Sequence, residues 1–165
     1  MGRDGWRIAC EDCLSLSVSK LRDLIGGGPG SFVRWAWHWG DRCVLRACFD
    51  LVGSGHKLGV RLRYTLGDDD ELDYIIPLTS TKPYFGGLRW WFVCPLVIRG
   101  VDCGRRVSKL YLPSGGRYFG CRTCYNLTYR SCKDSHKYDA LYRRVGADVG
   151  LPWWAVKRMF ERRYG

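Results

Sequence analysis

"FVRWAWHWGDRCVLRACFDLV", residues 32–52, decides how the first half of the chain folds. From Phe32 to Trp39 the residues alternate strictly, with Trp35, Trp37 and Trp39 on one face and Arg34, Ala36 and His38 on the other. A period of two belongs to a strand, whereas a helix groups its apolar residues three and four apart. Gly40-Asp41 then makes a tight turn into a second strand, residues 42–52. Three indoles on one face form a large apolar surface, best buried in a core; the alternative is a docking surface for a protein partner.

Working outward, Gly53-Ser54-Gly55 turns the chain into "KLGVRLRYTL" (57–66), and "GDDDE" turns it into "LDYIIPLTS" (72–80). Four strands at short spacing predict an antiparallel meander. The acidic run at 68–73 reads as a solvated turn, because it lacks the ligand spacing of an oxygen-coordinated cation site. Upstream, "CLSLSVSKLRDLIGGGPG" places Leu14, Val18, Leu21 and Ile25 at helical spacing, and Gly26 to Gly30 stop it. This predicts a short N-terminal helix. "GGGPG" has no following Gly-Lys-Ser/Thr and so does not cradle phosphate.

Beyond "TKPYFGG" the texture shifts to Cys, Arg and Tyr, with strand-like pieces "LRWWFV", "RRVSKLYL" and "GRYFG". From Tyr138 two helices are expected, the second carrying Pro152 in its first turn. The expected architecture is α+β: helix and meander in residues 1–83, a cysteine-rich ribbon in 84–132, and a basic helical tail in 133–165.

Composition narrows the function. No apolar run reaches membrane-spanning length, "MGRDGWRIACEDC" lacks a secretory core, and Trp6 stands where a myristoylation signal wants Ser or Thr. A soluble cytoplasmic protein is expected. In a reducing compartment nine cysteines point to metal ligands and buried thiols rather than disulfides. The net charge of +11 is lopsided: residues 1–98 hold 12 Lys/Arg and 11 Asp/Glu, residues 99–165 hold 15 and 5. Such asymmetry marks a half of the chain that faces a polyanion.

In that half Cys94 is followed by Pro95 and Cys103 by Gly104, then Cys121 and Cys124 complete the spacing Cys-x8-Cys-x17-Cys-x2-Cys. Two cysteine turns separated by a hairpin-length segment, here with "LPSGG" at its tip, predict a zinc ribbon with one structural Zn2+ held by four thiolates. The first spacing exceeds the usual two to four residues, which implies a loop insertion, "LVIRGV". Alternatively Cys94 and Cys103 are core residues, and Cys132 or His136 completes another set. Thioredoxin-like chemistry lacks its βαβ context. Cys10, Cys13, Cys43 and Cys48 form a weaker candidate for a second metal; on a regular strand Cys43 and Cys48 face opposite sides, so a bulge would be needed.

Trp91-Phe92-x-Cys94-Pro95, Cys103-Gly104-Arg105-Arg106-Val107, Leu110-Tyr111 and Phe119-x-Cys121-Arg122-x-Cys124-x-x-Leu127-x-Tyr129 together resemble a family of uncharacterised bacterial and mobile-element proteins. The resemblance covers residues 84–132 and implies metal binding. It implies no activity.

Around these cysteines stand Arg99, Arg105, Arg106, Lys109, Arg117, Arg122 and Arg130, interleaved with aromatics that include Tyr125 and Tyr129. Guanidinium forks pair with phosphates and aromatic faces stack on bases, so a nucleic-acid surface, for DNA or RNA, is expected. No recognition helix is identifiable, which argues against sequence-specific reading. The rival expectation is a protein-interaction adaptor with a purely structural ribbon. No nucleophile, phosphate loop or catalytic metal set is visible, so an enzyme is not expected.

Overall fold

The alternation of residues 32–52 is realised as a hairpin at the edge of a six-stranded antiparallel sheet. The computed structural model describes residues 7–53, 57–67, 70–134 and 138–164. The Ser54-Gly55 turn, Asp68, Asp69 and His136 lie outside the described residues, as does the side chain of Trp39. In chain order the elements are β1 (Leu14–Ser17), α1 (Arg22–Gly26), β2 (Phe32–Trp39), β3 (Arg42–Val52), β4 (Gly59–Leu66), β5 (Asp70–Thr81), β6 (Arg89–Val93), β7 (Val97–Ile98), β8 (Val101–Asp102), β9 (Arg106–Val107), β10 (Lys109–Leu112), α2 (Arg130–Asp134), α3 (Asp139–Val149) and α4 (Trp153–Tyr164).

The main sheet runs in the order β2-β3-β4-β5-β6-β9, so the meander continues past residue 83 into the cysteine-rich segment. Its inner face is apolar because the strands keep their period of two: Leu45, Ala47, Phe49 and Leu51 on β3, Val60 and Leu62 on β4, and Leu72, Ile76 and Leu78 on β5 are all buried. The outer face carries charge, including the ion pairs Arg61–Asp73 at 2.5 Å and Arg63–Asp50 at 2.6 Å. Trp35 and Trp37 are half-buried against the core, and the Trp37 Nε1 donates to the Ser15 carbonyl at 3.0 Å. Two of the three indoles therefore pack inward.

The N-terminal helix is shorter than its apolar spacing suggested. Only Arg22–Gly26 is α-helical; Val18–Leu21 is a 3-10 turn and Leu14–Ser17 is a strand. Leu14, Ser15, Leu16 and Ser17 pair with Leu112, Tyr111, Leu110 and Lys109, forming a two-stranded ribbon over the inner face of the sheet. Leu16, Leu21, Leu24, Leu110 and Phe119 fill the space between. "LSLS" also alternates, and a partner strand a hundred residues away settled the choice. "GRYFG" makes only an isolated bridge, Gly120 to Tyr111.

Candidate metal centre

Two stretches of chain converge to bring the Sγ atoms of Cys94, Cys103, Cys121 and Cys124 within 4.8 Å of one another. Cys94 leaves the end of β6, and its N–H donates to the Arg105 carbonyl at 2.9 Å, which anchors it in the sheet. The eight residues that follow are no slack loop. β7 and β8 form a miniature hairpin closed by Arg99-Gly100, with φ of 53° and 80°. Two successive positive φ values make the type I′ turn that suits the twist of a two-residue hairpin. At its base the Cys103 N–H donates to the Leu96 carbonyl at 2.9 Å, which returns Cys103 to the neighbourhood of Cys94. Gly104 follows with φ 58°, a conformation glycine adopts freely, and redirects the chain into β9.

Cys121 and Cys124 enter from the other side. Gly120 exchanges two backbone hydrogen bonds with Tyr111, at 2.8 and 2.9 Å, and so fastens the cysteine turn to β10. A Cβ on Gly120 would stand 2.1 Å from Leu96 Cδ1 and 2.9 Å from the Tyr125 ring. A side chain there would force Leu96 or Tyr125 to move, so glycine lets the two cysteine-bearing regions approach this closely. Upstream, the Tyr74 hydroxyl accepts from the Phe119 N–H at 2.9 Å, and the Tyr64 hydroxyl donates to the Arg117 carbonyl, tying 117–119 to the sheet. Downstream, residues 8–12 clasp the turn: Thr128 N–H donates to Ile8 and Cys10 N–H to Thr128, while a Glu11 carboxylate oxygen accepts from the Arg130 N–H at 3.0 Å. Sequence reasoning missed these supports, because each joins residues far apart in the chain.

The sulfur separations are 3.9 Å for Cys94–Cys124, 3.8 Å for Cys103–Cys121 and 3.5 Å for Cys121–Cys124. A disulfide needs about 2.05 Å. A tetrahedron of thiolates around zinc at about 2.3 Å has edges of roughly 3.8 Å, so the donor set and its size fit that ion. Backbone N–H groups aim at sulfur, from Cys121 to Cys94 Sγ at 3.2 Å and from Cys124 to Cys121 Sγ at 3.4 Å. Burial opposes ionisation of Cys121, but the N–H and thiol of Cys124, the Cys103 thiol and the Thr123 N–H bring its pKa below the ordinary value. Burial pushes Cys94 up to about 11, and burial together with the Cys103 and Cys121 thiols pushes Cys124 up as well. Four adjacent sulfurs ionise together only when a cation neutralises them.

No other cluster of three or more such ligands occurs among the described residues. Cys132 is exposed and outside the cluster. A bulge does occur in β3: Trp37 opposes Leu45 while His38 opposes Cys43, which leaves Val44 unpaired. Cys43 and Cys48 then oppose His38 and Arg34, so they share one face, but those partners lie four residues apart on β2, or about 13 Å. That is too far for one ion. Cys10 and Cys13 sit instead beside Tyr111 and Leu127, and the Cys13 thiol contacts the Ala9 carbonyl at 3.4 Å. Burial pushes the Cys13 thiol up to about 11, with Cys10, Asp12 and Glu11 adding to it.

The basic residues divide into two sets. Arg99, Arg105, Arg106 and Lys109 are exposed and have no carboxylate partner among the described residues. Arg117 pairs with Asp70 at 2.6 Å and Arg130 with Asp12 at 2.5 Å, while Arg122 lies over the Tyr129 ring at 5.3 Å. Tyr129 stays exposed; Tyr125 is half-buried with its hydroxyl donating to the Tyr118 carbonyl. Ile98, Val101, Arg105, Thr123 and Cys124 line a shallow cleft of about 390 Å³ beside the sulfurs. No helix among the described residues is long and apolar enough to cross a membrane.

The chain matches no family model, no curated protein and no solved structure.

Proposed function

We propose that Cys94, Cys103, Cys121 and Cys124 hold one Zn2+ as a structural site of zinc-ribbon type, and that this site anchors the basic face of a nucleic-acid-binding accessory protein. The observation that carries it is the sulfur cluster itself, four Sγ atoms within 4.8 Å of one another and three pairs of them at 3.5–3.9 Å, close to the edge of a zinc tetrathiolate. Four thiolates leave no position for water, so the ion stabilises and does not catalyse. Support for nucleic acid comes from the exposed set Arg99, Arg105, Arg106 and Lys109, which has no carboxylate partner among the described residues, and from the charge excess of residues 99–165. The resemblance of residues 84–132 to bacterial and mobile-element proteins supports reading the accessory role as one carried on such an element.

Native mass spectrometry of reduced wild type and of a Cys121→Ser/Cys124→Ser variant tests the metal. One zinc per chain, lost in the variant, is the expected result; no zinc in wild type removes the site. Nucleic-acid titrations test the face, with log affinity falling linearly as log salt rises. A protein-adaptor role draws on a different observation: Tyr84 and Phe85, at the β5–β6 connection, are 98% and 97% exposed. Partner binding that persists at high salt and disappears in Tyr84→Ala/Phe85→Ala would favour the adaptor.

A further inference from the structure

α3 and α4 pack chiefly on each other, joined by Gly150-Leu151-Pro152. Gly150 ends α3 in the left-handed region at φ 69°, and the Leu151 N–H donates to the Gly146 carbonyl at 2.9 Å. Pro152 immediately precedes α4, and its carbonyl accepts from the Ala155 N–H at 2.9 Å, opening the helix. Gly146 is the contact point of the two helices. A Cβ there would stand 2.6 Å from the Leu151 carbonyl oxygen and 3.3 Å from Trp153 Cα, so the start of α4 rests on the backbone of α3. Val156 is buried in the joint, Lys157 pairs with Asp139 at 3.1 Å, and Tyr142 meets Phe160 with ring centroids 5.8 Å apart.

These contacts fix one side of α4. Its other side presents Trp154, 58% exposed, and Arg158, one turn apart and therefore neighbours on the surface. The helix holds four cationic residues, Lys157, Arg158, Arg162 and Arg163, against the single acid Glu161. Two short helices, a three-residue turn with glycine, a close helix contact and a basic outer helix are the parts of a helix-turn-helix.

We propose that α3 and α4 form a helix-turn-helix, and that α4 enters the major groove of duplex DNA. A helix of 12 residues is about 18 Å long, and the B-form major groove, roughly 12 Å wide, admits it. The deep, narrow major groove of duplex RNA does not, so the same geometry selects against double-stranded RNA. Charge complementarity selects a polyanion over a protein surface, and the exposed Trp154–Arg158 pair supplies an aromatic and a guanidinium group to meet base edges and phosphates. The proposal rests on the nucleic-acid function above and names its substrate and its reading element.

The test uses the full-length protein and fluorescence anisotropy at about 100 mM salt, with three labelled probes of one sequence: duplex DNA, single-stranded DNA and duplex RNA. Wild type should bind duplex DNA about tenfold or more tighter than the other two. Arg158→Glu and Trp154→Ala should each weaken duplex binding by about tenfold, and Arg158→Glu should lower the salt slope by about one. Arg158→Lys should retain most affinity, which separates loss of charge from loss of fold. If the α4 variants bind like wild type while Arg106→Glu/Lys109→Glu does not, α4 is not the reader and the broader nucleic-acid function survives. A preference for single strands or RNA overturns the major-groove assignment. Failure of wild type to bind any probe removes both proposals.

Discussion

Strands β3, β4 and β5 are 11, 8 and 12 residues long, whereas β7, β8 and β9, around the cysteines, have two residues each. The first region is held by burial: Phe49, Val60, Leu62 and Ile76 are completely inaccessible on the inner face of a continuous sheet. At about 25 cal/mol per Å² of apolar surface, such burial stabilises a meander without help. The second region cannot do the same. β7 and β8 contribute few ladder bonds and leave Val97, Ile98 and Val101 exposed, so a metal or another cross-link would add most there. The difference teaches how unequally burial alone serves the two regions, even though Phe92, Leu110 and Phe119 join the core of the meander and β6 and β9 join its sheet.

Chelation should break the comparison most sharply. Structural zinc sites contribute on the order of 10–16 kcal/mol of apparent binding energy, more than a small segment has in reserve. Removing zinc should abolish hydrogen-exchange protection across residues 94–127 while residues 45–78 keep theirs. Equal protection before and after would mean that the cysteine region holds itself together.

The converse experiment attacks the sheet. Phe49→Ala should cost about 3–5 kcal/mol, read as a lower denaturation midpoint, with zinc content unchanged. A loss of zinc at full stoichiometric scale would show that the two regions are not separable.

Alkaline titration sharpens the boundary between them, where Tyr64 bridges the sheet to Arg117. Burial pushes the Tyr64 hydroxyl from 10.0 up to about 12, partly offset by its hydrogen bond to Tyr74. The folded state keeps its proton where the unfolded chain has lost it, so the contribution is complete below pH 10 and disappears as pH rises through about 12. Tyr74, raised in the same direction, adds to the effect. Tyr64→Phe should flatten the loss of stability over that window at a cost of about 1 kcal/mol at neutral pH. An unchanged alkaline slope would assign the effect to other groups.

The limits of legibility follow the range of each interaction. Strands β2 to β5 were readable because alternation and Gly-rich turns act between neighbours. The four cysteines were readable because a tetrahedral donor set has a recognisable spacing, and even the longer, eight-residue first spacing kept its Cys-Pro and Cys-Gly edges. Leu14, Val18, Leu21 and Ile25 misled because helical spacing and the alternation of "LSLS" coexist in one short segment, and β10 decided between them. The pairing of α3 with α4 was not readable at all, since Gly146 looks like any helical glycine until the start of α4 is laid against it.

By itself the sequence determined the meander, the donor set for a metal and the concentration of charge in the last two-fifths of the chain. These depend on periodicity, side-chain chemistry and composition, all of which are local. Only the tertiary structure decided that residues 8–12 clasp the cysteine turn, that Gly120 lets the two cysteine regions meet, and that β1 is a strand. Those outcomes depend on steric fit and backbone hydrogen bonds between residues far apart in the chain, and such contacts exist only once the whole chain has folded.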